Sequence, residues 1–399
     1  MKRNDIVSIV VCAVILLGVF IFNSTVFKNS SELKTIKVGF VYDGDESAPY
    51  TYNYIRAQKA IEANYGDNVE TIVKSNISEE EGENSLKELV SEGCELIFTT
   101  SYGYGEAAKK LAEAHPEIEF CEATCDNADD KPFCSNYHTF MGEIYSGRYI
   151  SGMVAGMKLK ELIESGKITR DQAKIGYVAA FPYAEVISGY TAFLLGIRHI
   201  VPEAKMTVRY TNNWTDYTLE KKYAEALIEE GAVIISQHSD TIGPAVACEN
   251  SSVSHPVYHV GYNDSMLDVA PTTSLISSRI NWTPYMLSAV EAVLKGEKIE
   301  KVVDAKVFGN DCSAGFERNW VQMVELNTLI AAEGTEDMIE KSIEDFKKGR
   351  ITVFEGDYTG TDPFDPNDKI DLKGGFVENE KSSAPTFHYV LDDVITIEE

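Results

Sequence analysis

The residues with the clearest chemical potential in this chain are aromatic, carboxylate and amide side chains that recur just after short apolar runs. Asp43-Gly-Asp45 and Tyr50-Thr-Tyr52-Asn-Tyr54 follow the run at 36–42, and Ser101-Tyr102-Gly-Tyr104 follows 96–100. Phe181-Pro182-Tyr183-Ala-Glu185 follows 175–179, and Asn212-Asn213-Trp214 follows 206–210. Gln237-His238-Ser239-Asp240, Tyr262-Asn263-Asp264 and Asn281-Trp282 follow the runs at 232–236, 257–260 and 274–280. Taken singly, each is an ordinary loop aromatic or helix cap; Asp240 and Asp264 stand where N-caps belong. Taken together they offer rings for stacking and oxygen acceptors for N–H and O–H groups. A flat heteroaromatic or sugar-like solute needs that mixture in a dry cleft. The candidate binding set is therefore Tyr50, Tyr52, Ser101, Tyr102, Phe181, Glu185, Asn213, Trp214, His238, Asp240, Asn263, Asp264 and Trp282.

Catalysis has weaker support. The chain has no G-x-S-x-G, H-E-x-x-H or P-loop sequence and no G-x-G-x-x-G after a strand. An enzyme reading, a nucleoside hydrolase or lyase, would use Glu185 or Asp240 as acid/base with His238 beside it. No nucleophile or metal signature accompanies them, so no catalytic residue, metal or cofactor is expected.

The apolar runs alternate with amphipathic segments long enough for helices. Strands are expected at 36–42, 69–73, 96–100 and 118–121, with helices at 54–65, 79–91 and 106–115 between them. A long helix over 143–165 carries small residues at Gly147, Gly152, Ala155 and Gly156, a face suited to close packing. The alternation then restarts, with strands at 175–179, 206–210, 232–236 and 257–260 and helices at 185–200, 216–229 and 241–252. Such alternation means parallel sheets with helices on both faces, and ligands bind beyond the carboxyl ends of the strands. The fold class is α/β, two doubly wound lobes joined by a hinge. The first lobe is expected at 36–140 with part of 281–325, the second at 141–280 with part of 326–354, and helices at 282–294 and 325–348. The Asp/Gly/Pro-rich tail, 355–399, reads as solvated turns, since its spacing is not that of an EF-hand loop.

Met1-Lys2-Arg3 precedes an apolar run at 6–22. Its 17 residues would reach about 25 Å as a helix, and the basic end would stay in the cytoplasm. Residues 1–28 are thus expected to be a membrane anchor leaving the rest on the extracellular face. A cleaved signal peptide is the alternative, and a lipid on Cys12 is disfavoured by Val11 before it. The net charge of −27 opposes nucleic acid as a partner. Six cysteines lie beyond the first segment, and an exported protein could pair them. Cys121, Cys125 and Cys134, in one polar stretch, are candidates for a local bridge, whereas Cys94 and Cys248 read as core fillers.

The segments at 96–101, 147–156, 174–189, 237–240, 261–263 and 281–285 resemble, in order, the basic membrane protein family of ABC-transporter substrate-binding proteins, the Med and purine nucleoside receptor group. The resemblance covers 36–354. It implies a type I periplasmic-binding fold, three crossover strands, closure on a purine nucleoside or base, and an ABC permease as partner. It further implies that Tyr50 and Trp214 stack on the ligand and that Glu185 and Asp240 accept from it. Asn213, Ser101 and Asn263 or Asp264 would assist, and Trp282 would line the hinge side. Tyr50 stands where relatives often carry Trp, and the leader lacks their lipoprotein cysteine arrangement. A membrane-tethered solute sensor of the same fold remains the alternative role.

Overall fold

The computed structural model describes residues 35–398. The segment expected to anchor the chain, 1–28, lies outside them. Among the described residues no helix is long and apolar enough to cross a membrane.

In chain order the strands are β1 (Ile36–Val41), β2 (Val69–Lys74), β3 (Leu96–Thr99), β4 (Glu119–Ala123) and β5 (Tyr137–Gly142). There follow β6 (Lys174–Ala179), β7 (Lys205–Tyr210), β8 (Ile234–His238), β9 (Tyr258–Tyr262) and β10 (Ser274–Ile280). Short strands complete the set: β11 (Lys306–Phe308), β12 (Asp311–Ala314), β13 (Val321–Val324), β14 (Thr359–Thr361), β15 (Lys369–Asp371), β16 (Val390–Leu391) and β17 (Ile395–Glu398). The helices are α1 (Pro49–Tyr65), α2 (Gly82–Ser91), α3 (Gly105–Ala114), α4 (Ile144–Glu164) and α5 (Ala184–Ile200), then α6 (Tyr217–Glu229), α7 (Gly243–Glu249), α8 (Thr283–Lys295), α9 (Ile299–Val302) and α10 (Thr335–Lys347).

Two seven-stranded sheets result, ordered β11-β12-β5-β4-β3-β1-β2 and β13-β10-β9-β8-β6-β7-β17. Within each, β1 to β5 and β6 to β10 pair in parallel; a helix lies in each of the first three connections of either set, and the last connection of each, 124–136 and 263–273, is a loop. The α/β class with parallel sheets is as the alternation predicts. Strands such as β3 and β8 are buried along their whole length, as sheets covered on both faces require. We call the two units the first and second lobe.

The chain passes between lobes three times: after Gly142, after Ile280 and between Ala314 and Val321. These passages lie side by side. The Glu143 N–H donates to the Ala314 carbonyl at 2.9 Å, and the Asn281 N–H donates to the Trp320 carbonyl at 2.7 Å. The helix expected over 325–348 is shorter. β13 pairs antiparallel with β10, and the Asn327 amide then holds the carbonyls of Pro271 and Ser274 in a turn. Only after Gly334, at φ 78°, does α10 begin.

Helix α4 packs along α5 through glycine. A Cβ on Gly152 would fall 2.0 Å from the Phe193 carbonyl oxygen, and one on Gly196 would fall 2.0 Å from that of Tyr149. The small-residue face read from the sequence thus serves a backbone-to-backbone contact.

The tail departs most from expectation. Phe354, Leu372, Phe387 and Leu391 are fully buried, and Phe354 stacks on Phe387 with centroids 4.3 Å apart. β14, β15 and β16 form a small sheet, and β17 pairs in parallel with β7 at the edge of the second lobe. Spaced aromatics, too sparse to show a period, supply this core. Of the cysteine expectations, the local bridge among Cys121, Cys125 and Cys134 is corrected, whereas Cys94 and Cys248 are buried in the core as expected. All six described cysteines are free and buried; Cys125 reaches the Tyr102 carbonyl, Cys134 sits over Lys109 and Cys121 faces the core from β4.

His138 on β5 lies buried between Glu119, at 2.8 Å, and Glu300 of α9. Burial opposes its protonation, but the two carboxylates win and lift its pKa to about 8. A raised histidine stabilises the fold fully below its unfolded value and loses that contribution as pH climbs through the folded one. Unfolding free energy measured in urea is therefore expected to fall by about 2 kcal/mol between pH 6 and 9 from this group. The same titration of a His138→Gln variant should lack that part of the slope.

Candidate functional site

The carboxyl ends of both parallel sheets face one another across a cavity of about 520 Å³. The first lobe contributes Asp43 after β1, Tyr50 at the start of α1, Ser101 and Tyr102 after β3, and Thr124 and Asp126 after β4. The second contributes Pro182 to Glu185 after β6, Trp214 after β7, His238 and Asp240 at the end of β8, and Tyr262 ending β9. Seven of the sequence candidates, Tyr50, Ser101, Tyr102, Glu185, Trp214, His238 and Asp240, line this one cavity.

The other six do not, each for a visible reason. The Tyr52 ring lies beneath the Arg56 guanidinium, 4.3 Å from its centroid. Asp264 forms an ion pair with Arg56 at 2.9 Å, across the lobes, so its carboxylate is already engaged. Asn263 is buried behind the cavity and donates to Asp240 at 3.3 Å, while its own carbonyl accepts from Asn53 of α1. Asn213 is exposed and turns its side-chain oxygen back on the Thr215 N–H. Phe181 stacks behind Tyr183, centroids 5.0 Å apart, and so buttresses a lining ring. Trp282 is buried in the core, stacked at 4.6 Å on Tyr54, which in turn supports Tyr50.

Aromatic and acidic groups divide the cavity. On the second lobe Phe181, Tyr183 and Trp214 form an aromatic group, with Trp214 5.5 Å from Phe181 and 6.3 Å from Tyr183. Tyr102 of the first lobe approaches Tyr183 to 6.1 Å, which narrows the mouth. The Tyr50 hydroxyl donates to the Thr100 carbonyl at 2.6 Å, fixing the ring. Five carboxylates line it: Asp43 and Asp126 of the first lobe, Glu185 and Asp240 of the second, and Asp362 further along the chain. Burial first, then the charges of Asp43, Glu220 and Glu185, push the Asp240 carboxyl well up; burial likewise raises Asp43, eased by the Thr51 hydroxyl. Glu220, itself lifted to about 7 by burial, accepts from the hydroxyls of Ser239 and Thr241 and so holds the turn that carries Asp240.

His238 forms part of the floor. It is 1% exposed, 4.6 Å from the Tyr262 ring and 3.5 Å from Glu185, and neither ring nitrogen has a hydrogen bond. Burial lowers its pKa, so the ring is neutral and can donate once and accept once. Gly189 makes room for it, since a Cβ there would lie 2.5 Å from Nδ1. Below, the fully buried Arg148 of α4 donates to the Gly261 and Gln237 carbonyls, the Tyr177 hydroxyl and Ser236. It thereby ties the carboxyl ends of β8 and β9, the strands that present His238 and Tyr262.

Sequence reasoning missed the contribution of the β4 loop, although the strand-end rule applied to 119–123 would have found it. Thr124 there has φ 68°, a left-handed backbone that a β-branched residue adopts only when its surroundings impose it. It also missed a wall built by the C-terminal segment, where Asp362, Phe364, Ala384, Pro385 and His388 reach the cavity. Among the described residues, Asp362, Asp368 and His388 bring ligand-type atoms within 4.8 Å of one another. Direct contacts between the imidazole and the two carboxylates, at 3.3 and 3.7 Å, account for that cluster equally well.

Residues 35–353 match the model of the PnrA-like ABC transporter substrate-binding proteins. The chain belongs to that family. A purine-binding protein of Brucella abortus is 32% identical over 263 residues, 65% of this chain and 69% of the relative. A putative ABC transporter glucose-binding protein of Haloferax volcanii is 29% identical over 67% of this chain and 63% of its own length. Among solved structures, a solute-binding protein of Aeropyrum pernix superposes with a TM-score of 0.64 at 15% identity, covering 79% of this chain and 92% of the other. The family is one of solute binders, and the fold is that of periplasmic binding proteins.

Proposed function

We propose that this chain captures a purine nucleoside or base between its lobes and presents it to an ABC importer from the outer face of the membrane, tethered by residues 1–28. The observation that carries the reading is the cavity's division. Trp214, Tyr183 and Tyr50 supply ring faces, and Asp43, Glu185, Asp240 and the imidazole of His238, beside Glu185, supply groups for a polar edge. A volume of about 520 Å³ suits a nucleoside-sized solute. Cross-lobe contacts, Arg56–Asp264, Asn53–Asn263 and Tyr102–Tyr183, form only when the lobes are together. A solute touching both lobes binds this state better and shifts the population towards it. No residue here is assigned a catalytic role.

The glucose-binding relative favours a second reading, a sugar ligand, because rings and carboxylates also grip pyranoses. Titration calorimetry with adenine, hypoxanthine, adenosine, guanosine and glucose separates the two; heat with glucose alone would replace the purine reading. Trp214→Ala is expected to weaken the preferred solute by about 2 kcal/mol, near thirtyfold. Unchanged affinity would remove Trp214 from the stacking role.

A further inference from the structure

The C-terminal segment, 355–398, lies beyond the stretch that matches the family, yet it supplies five of the residues lining the cavity. Its attachments to the two lobes are unequal. To the second lobe it is bound by the β17–β7 ladder from Ile395–Met206 to Glu398–Arg209. Glu378, buried, accepts from the Ser188 hydroxyl of α5 at 2.7 Å and from the backbone of Thr386 and Phe387, and Arg198 donates to the Tyr358 hydroxyl. To the first lobe it is joined at Asp311 of β12. That carboxylate, 4% exposed, accepts the Ser383 N–H at 2.6 Å and the Ser382 hydroxyl at 3.2 Å, while Thr139 of β5 holds its other oxygen. Ala384 and Pro385, immediately beyond this contact, face the cavity, as does His388; Asp362 and Phe364 reach it from the β14–β15 connection. Phe364 remains 73% exposed at the rim.

From this arrangement we propose that residues 355–398 form a strap, carried by the second lobe and docked on Asp311 of the first, which completes the solute site and must undock for the lobes to part. The strap rests on the hinge-closure reading above and adds a third contact surface for the solute, with Phe364 and His388 as its selective groups. A ladder of backbone hydrogen bonds outlasts a single carboxylate contact, so opening separates Ser383 from Asp311 and leaves β17 in place.

The test uses the full chain without added solute. Asp311→Ala removes the docking acceptor, and Ser383→Pro removes the shorter of the two hydrogen bonds to it while leaving the first lobe intact. In either variant, hydrogen exchange over 376–391 is expected to rise while β1, β3, β6 and β8 stay protected, and small-angle scattering is expected to show a larger radius of gyration. Exchange over 376–391 unchanged in both variants, or raised with an unaltered radius, would overturn the strap. Asp311→Asn, which keeps an oxygen for the Ser383 N–H, should lie nearer the parent. With adenosine as probe, release from Asp311→Ala should be roughly tenfold faster, in line with the loss of hydrogen bonds to a charged group. Parent protein that ignores adenosine would count against the purine reading alone, because scattering and exchange decide the strap without it.

Discussion

Replacing Arg148 by alanine is expected to destabilise the fold by at least about 3 kcal/mol, read from the urea midpoint at constant m-value. The side chain is fully buried in α4 and its two terminal nitrogens donate to two carbonyls and two hydroxyls. Truncation leaves those acceptors unmet, at roughly 1–3 kcal/mol for each that water cannot reach, and opens a cavity between the Tyr177, Phe193 and Tyr262 rings that surround the guanidinium. Relief of the buried charge offsets part of this, which is why the lower bound is set well below the sum. The ends of β8 and β9 should loosen as well. Solute affinity of whatever protein still folds should then fall, through His238 and Tyr262, with Trp214 unaltered. Stability within 1 kcal/mol of the parent would show that the acceptors find water or one another.

Gly152→Val should be as severe. The added Cβ would lie 2.0 Å from a backbone oxygen of α5, and no rotamer change relieves a clash with backbone. The helices must separate, taking Tyr149 and Gly196 out of register, at a cost of more than about 3 kcal/mol, beyond the usual range for overpacking. Ile150→Val, also fully buried on α4 but only one methylene smaller, should cost about 1 kcal/mol and serves as the comparison. Equal melting temperatures for the two variants would contradict the close-contact account.

How much of this was legible beforehand depends on the element. The runs that form β1, β3, β6 and β8 are short and mainly apolar, with Gly, Asp or Pro a few residues on, and the strand–helix period exposed them. Their carboxyl ends, with that of β7, then located Tyr50, Glu185, Trp214 and Asp240 around one cavity. Strands of two to four residues, such as β11 to β17, have no room for a period, so neither the sheet edges nor the strap could be read. Asp264, Asn213 and Trp282 were misjudged because strand-end position does not reveal side-chain engagement: Arg56, the Thr215 N–H and Tyr54 had each taken one. His238 held the opposite surprise, a buried imidazole seated by Gly189 with only the Glu185 carboxylate, at 3.5 Å, beside its ring nitrogens.

The threefold passage between lobes bears on how the polypeptide assembles as it leaves the ribosome. Neither sheet is contiguous in sequence: the first lacks one margin until 306–314 have been made, the second until 321–324 and 395–398. Both halves must therefore wait, partly formed, for late-arriving strands, and long-range pairings of this kind are slow to close. Nascent chains halted shortly before residue 306 should accordingly be protease-sensitive throughout, even though three quarters of the protein already exists.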